Sequence, residues 1–208
     1  LFAQTQLEQS FGINLTVLVD GQPREVNLKE ILEAFIKHRK NIITKRTIFD
    51  LKKAKERGHI VEGLMVAIAN IDEVITIIKK SKDPKVAAEA LIKKQWKAGP
   101  VEAILKKVGK DACKPLDTKA EYGLNGKKYK LSPDQAKAIL ELRLGRLTGL
   151  EQDNLNSEFS DIVEKILELQ KILDDKATLE TILVNELNEI KNNFCLLYTS
   201  DAADELCR

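Results

Sequence analysis

The stretch NLNSEFSDIVEKILELQKIL, residues 154–173, decides the fold class. Its apolar residues Leu155, Phe159, Ile162, Ile166, Leu169 and Leu173 follow one another at steps of 4, 3, 4, 3 and 4. That is the a/d seam of a helix that lies along another helix, sustained for nearly three heptads. Asp174-Asp175 interrupts the seam, and Leu179, Ile182, Leu183, Leu187 and Ile190 resume it.

A matching helix stands earlier in the chain. From Leu28 to about Arg57 there is neither Gly nor Pro, and thirty helical residues span about 45 Å. Asn27 is a good N-cap, with Glu30 in the first turn. Leu28, Phe35, Ile42 and Phe49 recur every seven residues, broadened near the start by Ile31, Leu32 and Ile36, and this row is expected to face the partner helix. The rest of the surface is basic: Lys37, Arg39, Lys40, Lys45, Arg46, Lys52, Lys53, Lys55 and Arg57. Gly58 and Gly63 are candidate bends, after which Ile60, Leu64, Ala67 and Ile68 continue the pattern.

Short elements lie between and before these helices. Asp72 is expected to cap a helix over Glu73–Lys80. Asp83-Pro84 sets Pro at the first position of the next helix, which runs to about Ile92, and Gly99-Pro100 opens one over Val101–Val108. Asn125-Gly126, between Leu124 and Lys127-Lys128-Tyr129, predicts a hairpin over Tyr122–Leu131. Ser132-Pro133-Asp134-Gln135 is a capping box, opening a helix that buries Ala136, Ile139, Leu140, Leu142 and Leu144. Near the start, Thr16–Val19 and Arg24–Val26 flank Asp20-Gly21 as two short strands. The expected fold class is mainly α: a long antiparallel coiled-coil arm carrying a small helical globular knob, with minor β-hairpins. The divisions are 1–26 with the short strands, 27–69 as the first long helix, 70–150 as the knob, 151–194 as the returning helices and 195–208 as a tail. Mutual burial of the seams, at roughly 25 cal/mol per Å², would hold the arm together.

Composition supports this reading. Charged residues make up 32% of the 208, aromatics 5%, and there are only 10 Gly and 5 Pro, which argues against an all-β sandwich, collagen or a disulfide scaffold. The 34 basic and 32 acidic residues leave +2, so any attraction for nucleic acid rests on local arrangement. No basic leader precedes an apolar run, no run reaches the ~18 apolar residues of a membrane span, and no membrane partner is expected. With no Met at its start, the chain reads as an internal piece of a cytoplasmic protein. The run Cys195–Glu205 continues no helical stripe and matches one reading frame of a transposon-based library adapter, so residues 195–208 are expected to be non-native. Without them the chain holds 33 basic and 29 acidic residues, a net +4, and Cys113 alone. A single Cys forms no internal disulfide, and no Cys/His spacing suggests zinc.

Three segments carry a family resemblance. Phe11-Gly12-Ile13-Asn14 stands with Gly21-Gln22-Pro23 and Asn27-Leu28-Lys29-Glu30-Ile31. Phe35-Ile36-Lys37-His38-Arg39 runs into Thr44-Lys45-Arg46-Thr47-Ile48-Phe49-Asp50-Leu51, and later Ala67-Ile68-Ala69-Asn70-Ile71-Asp72. Leu131-Ser132-Pro133-Asp134-Gln135-Ala136 leads to Ala138–Leu144 and Leu147-Thr148-Gly149-Leu150-Glu151, with Gln95-Trp96 between. Together they resemble the A subunits of DNA gyrase and topoisomerase IV, from about Thr5 to Phe194. The resemblance implies the downstream part of the breakage–reunion core of an ATP-dependent type II DNA topoisomerase: the end of the tower, the coiled-coil arm and the exit gate. It implies a homodimer through the gate, a gyrase B subunit in an A2B2 complex, and non-specific contact with double-stranded DNA. ATP and Mg would enter through the B subunit, with no cofactor here. The family's nucleophilic tyrosine stands between Arg and Thr in an upstream winged helix. Tyr122, Tyr129 and Tyr198 do not match that context, so the chain by itself is expected to be inactive.

The candidate dimer-gate residues are Gln135, Ile139, Leu142, Arg143 and Arg146; Ile139 and Leu142, with Leu144, read first as core, and Gln135, Arg143 and Arg146 are the favoured contacts near the gate. The candidate DNA contacts are Lys45, Arg46, Lys52 and Lys53: either a solvated coiled-coil face or a basic wall drawing the passed duplex by its phosphates. No catalytic or metal-ligating residue is expected. His38 and His59 lack a third ligand or base and read as surface or interface residues, and Cys113 lacks a nucleophile's setting. Spacing alone also permits a stand-alone coiled-coil scaffold or dimerisation module.

Overall fold

The computed structural model describes residues 5, 12, 14–19, 21–99, 101–102, 105, 109, 112–115, 121–125, 128–142 and 149–194. In chain order its elements are β1 (Thr16–Val19), β2 (Gln22–Glu25), α1 (Leu28–Ala69), α2 (Ile71–Lys80), α3 (Pro84–Lys93), β3 (Gln95–Lys97), β4 (Gly123–Asn125), β5 (Lys128–Lys130), α4 (Pro133–Leu140), α5 (Gly149–Asp174) and α6 (Lys176–Asn193). The fold is mainly helical with two small antiparallel sheets, as the patterning predicts. Two compact units are formed, one from Leu1–Lys45 with Leu179–Arg208, the other from Arg46–Thr178. Gly58 and Gly63 do not break α1. Arg143, Leu144, Arg146, most of the helix expected over Val101–Val108, and the tail 195–208 lie outside the described residues.

In the first unit β1 and β2 pair from Thr16↔Glu25 to Val19↔Gln22, around Gly21 at φ +82°. Asn27 and Glu30 cap α1 reciprocally: the Glu30 N–H donates to Asn27 Oδ1 and the Asn27 N–H to Glu30 Oε2, each at 2.9 Å. Arg39 donates to Glu186 at 2.7 Å and Lys40 to Glu180 at 2.6 Å, so α1 and α6 meet in antiparallel sense.

The inward row of α1 differs from expectation. Leu28, Phe35, Ile42 and Phe49 are 68, 49, 40 and 57% exposed, whereas Ile43 is 1% exposed and Thr47 4%. Arg39 and Lys40 explain the rotation. They precede Ile43 by four and three residues and therefore share its face. Their ion pairs to α6 turn that face inward and leave the heptad row to water.

The second unit holds the large core. From Val61 to Ala67 every residue of α1 is buried, as befits a helix segment that is apolar nearly all round. It clusters with Val74 of α2, Leu91 of α3, Trp96 of β3, Leu124 of β4, Tyr129 of β5, Ala136 and Ile139 of α4, and Leu155, Phe159, Val163 and Ile166 of α5. On α5, Val163 is buried and Ile162 only partly so, because a straight helix of 3.6 residues per turn drifts off a 3.5 repeat. The three strands run β3-β5-β4, with Trp96↔Tyr129↔Leu124 in register across them. Strand β3 is not foreseen by the sequence pattern. Trp96 Nε1 donates to the Leu91 carbonyl at 2.9 Å. Helix α2 starts before its expected cap: Asn70 precedes it and Asp72 lies in its first turn. Asn70 Nδ2 donates to the Val66 and Lys97 carbonyls at 2.8 and 2.9 Å, tying the end of α1 to β3.

Candidate functional site

Polar residues are enclosed where α1, β5 and α4 meet. His59, Glu62, Ser132 and Gln135 are all at most 4% exposed, and Tyr129 is 0%. Ser132 caps α4 as its motif predicts: Ser132 Oγ accepts from the Gln135 N–H at 3.3 Å, and Gln135 Oε1 accepts from the Ser132 N–H at 2.9 Å. The other end of the same amide reaches α1. Gln135 Nε2 donates to the His59 carbonyl at 2.7 Å and to the Tyr129 hydroxyl at 2.8 Å, and faces His59 Nδ1 at 3.3 Å. His59 Nε2 lies 2.8 Å from Ser132 Oγ. Gly63 admits this approach, since a Cβ there would stand 2.6 Å from Gln135 Cγ.

Burial sets the electrostatics. It holds the His59 imidazole below its ordinary pKa, opposed by Asp134 and reinforced by Lys114. Burial, then the charge of Glu62, raises the Tyr129 phenol well above its usual value, and the hydroxyl also hydrogen-bonds to Glu62. Burial pushes the Cys113 thiol up to about 12, so it is no thiolate at neutral pH. A cavity of about 720 Å³ opens beside the cluster, with His59, Ser132, Asp134, Lys137 and Glu141 in its lining. Among the described residues no group of three or more His, Cys, Asp or Glu is placed to hold a metal ion. No helix among them is long and apolar enough to cross a membrane.

The sequence-based candidates fare differently from one another. Gln135 is 0% exposed and Ile139 5%, so both side chains pack in the interior of the second unit. The Gln135 amide reaches the Ser132 N–H, the His59 carbonyl and the Tyr129 hydroxyl, all within the second unit. Leu142 is half-buried against the core, and Arg143 and Arg146 are outside the described residues. Lys45, Arg46, Lys52 and Lys53 are exposed. Lys52 lies 4.0 Å from Glu56, and Lys53 Nζ sits 4.9 Å from the centre of the Phe49 ring. Elsewhere on α1, Arg39, Lys40 and Arg57 are taken up by Glu186, Glu180 and Glu158. His59, expected at a surface or interface, is interior instead. Its signal stands in the sequence: in His59–Met65, His59 and Glu62 sit on a helix segment that is otherwise apolar or Gly.

Within each unit the long helices pair in antiparallel sense, Arg39 and Lys40 with Glu186 and Glu180 in the first and Arg57 with Glu158 in the second, and exposed lysines and arginine lie along α1. The sequence pattern of the DNA gyrase/topoisomerase IV A subunits covers residues 1–188, and the chain belongs to that family. Among its relatives, the DNA gyrase A subunit of Pseudomonas aeruginosa is 52% identical over 194 residues, 93% of this chain. That of Aeromonas salmonicida is 42% identical over 194 residues, also 93% of the chain. That of Escherichia coli is 47% identical over 159 residues, 76% of the chain. The chain spans about a fifth of their length: 21, 21 and 18%.

Proposed function

We propose that this chain forms the coiled-coil arm and exit gate of the A subunit of a gyrase-type, ATP-dependent type II DNA topoisomerase, through which the transported duplex leaves. The observation that carries the reading is the 52% identity to the P. aeruginosa gyrase protein across 194 residues. The ion pairs between α1 and the returning helices support it, because an arm must keep its helices paired under load. The role is mechanical. Two copies meet through an isologous interface that holds, parts and closes again. Arg143, Arg146 and the exposed part of Leu142 are its candidate contacts. The catalytic tyrosine belongs to another part of the whole protein, and ATP and Mg act through the B subunit of an A2B2 complex. Lys45, Arg46, Lys52 and Lys53 would attract the passing duplex through its phosphates, without reading sequence.

The test replaces the matching segment of the P. aeruginosa gyrase protein with residues 1–194 and reconstitutes it with gyrase B, ATP and Mg. Retained ATP-dependent supercoiling is expected. A chimaera that assembles and cuts DNA but passes no strand overturns the gate reading. In the chimaera, Lys45→Gln, Arg46→Gln, Lys52→Gln and Lys53→Gln together should weaken the salt dependence of strand passage. Unchanged passage and salt dependence remove the DNA role of these four residues.

A further inference from the structure

The protonation state of His59 follows from backbone groups of fixed polarity. Gln135 Oε1 faces the Ser132 N–H, which only donates, and Gln135 Nε2 faces the His59 carbonyl, which only accepts. The orientation of the amide is therefore settled without reference to the ring. Nδ1 of His59 lies 3.3 Å from that amide nitrogen, whose two hydrogens go to the His59 carbonyl and the Tyr129 hydroxyl and which accepts nothing, so a proton on Nδ1 would find no acceptor there and Nδ1 is the unprotonated nitrogen. Nε2 then carries the ring proton and donates to Ser132 Oγ. A second proton on Nδ1 would point at the Gln135 amide, donor against donor.

We propose that His59 is a proton-operated latch on the first turn of α4: charging its ring expels the Gln135 amide and opens the cap. The amide has no compensating move. Turning it over to offer Oε1 to the charged ring would surrender the Ser132 N–H and the His59 carbonyl, and would keep the Tyr129 hydroxyl only by drawing its proton from Glu62. Leaving the amide in place buries an unpaired charge. The ring does have somewhere to go. It lines the 720 Å³ cavity with Ser132 and Asp134, so water delivers the proton without unfolding, and the released imidazolium faces the Asp134 carboxylate. Among the described residues the charged and titratable groups around it are Glu56 and Glu62 from α1, Lys114 from the loop 112–115, Tyr122 before β4, Tyr129 from β5, Asp134 and Lys137 from α4, and Glu141 just beyond it. Glu158 of α5 is held by Arg57. Burial of the neutral ring, the largest cause of its lowered pKa, makes the closed state the one that resists protonation. The device is independent of the gate reading.

The test is nuclear magnetic resonance on the full 208-residue chain between pH 8 and pH 5. Ring nitrogen signals should show the Nε2–H tautomer of His59 at pH 8. Opening of the Ser132 and Gln135 amides, corrected for intrinsic exchange, should grow about tenfold per pH unit below the ordinary imidazole value of about 6.5, until the lower pKa of the closed state is reached. Asp134→Asn should move the onset to lower pH, a shift that a purely structural histidine does not produce. An Nδ1–H tautomer, a corrected opening that ignores pH, or an onset unmoved by Asp134→Asn overturns the latch.

Discussion

Arg57 places two nitrogens on one carboxylate oxygen of Glu158, Nε at 2.8 Å and a terminal nitrogen at 2.6 Å, and so pins α1 to α5. Both side chains remain well exposed, at 50 and 37%, so water screens the pair. A double-mutant cycle with Arg57→Ala and Glu158→Ala should give a coupling of about 0.5 kcal/mol at low ionic strength, fading at about 1 M salt. A coupling unmoved by salt would mean the contact is packing rather than charge.

Gln135→Leu removes the one side chain that joins the α4 cap, the α1 backbone and the Tyr129 hydroxyl. The expected loss is about 2–4 kcal/mol in urea unfolding, because buried partners are left unsatisfied. Ile139→Val, which deletes a single methylene from the same helix, should cost only about 1 kcal/mol.

Trp96 is the single tryptophan and is 2% exposed, paired with Tyr129. Its emission should be blue-shifted in the folded chain and report on the second unit alone. Trp96→Ala should cost about 3–5 kcal/mol by circular-dichroism denaturation.

Cys113 should resist a thiol reagent. In a Cys195→Ser, Cys207→Ser background its thiolate fraction at pH 8 is about one in ten thousand for a pKa of about 12. Labelling should therefore proceed only as the chain unfolds. Fast labelling of folded protein would contradict its burial.

Asp175 joins α5 to α6. The Thr178 hydroxyl, then the Ala177 and Thr178 amides, hold its carboxylate below the usual range. Since the folded-state pKa is depressed, the contribution is present above the ordinary carboxylate value and is lost as pH falls through the folded one. Asp175→Ala should reduce helix content at neutral pH and abolish this acid-side change, as followed by circular dichroism.

Local signals account for what the sequence makes legible. The Asn27 and Ser132 caps, Pro84 at the head of α3, the β4–β5 hairpin and the break at Asp175 each depend on neighbours within a few residues, and each forms where its motif stands. Strand β3 has three residues and exists only because β5 lies beside it, which no local pattern announces. The facing of α1 is likewise tertiary. Two apolar rows compete along it, and the choice falls to Arg39 and Lys40, whose partners are on α6. The polar cluster is tertiary too: Gln135 reads from the sequence as a cap residue and a contact near the gate, and no local pattern announces that its amide reaches His59, 76 positions away.

The nesting of two contacts bears on the order of folding. His59 and Gln135 enclose a loop of 76 positions, and Arg57 and Glu158 enclose that loop within one of 101. Chain entropy makes the shorter closure the easier, and once it is made the outer pair has only the remaining slack to overcome. The unit should therefore zip outward from α4, with amides at the α1–α4 contact protected before those of α5, and the second long helix docking last onto a surface already in place.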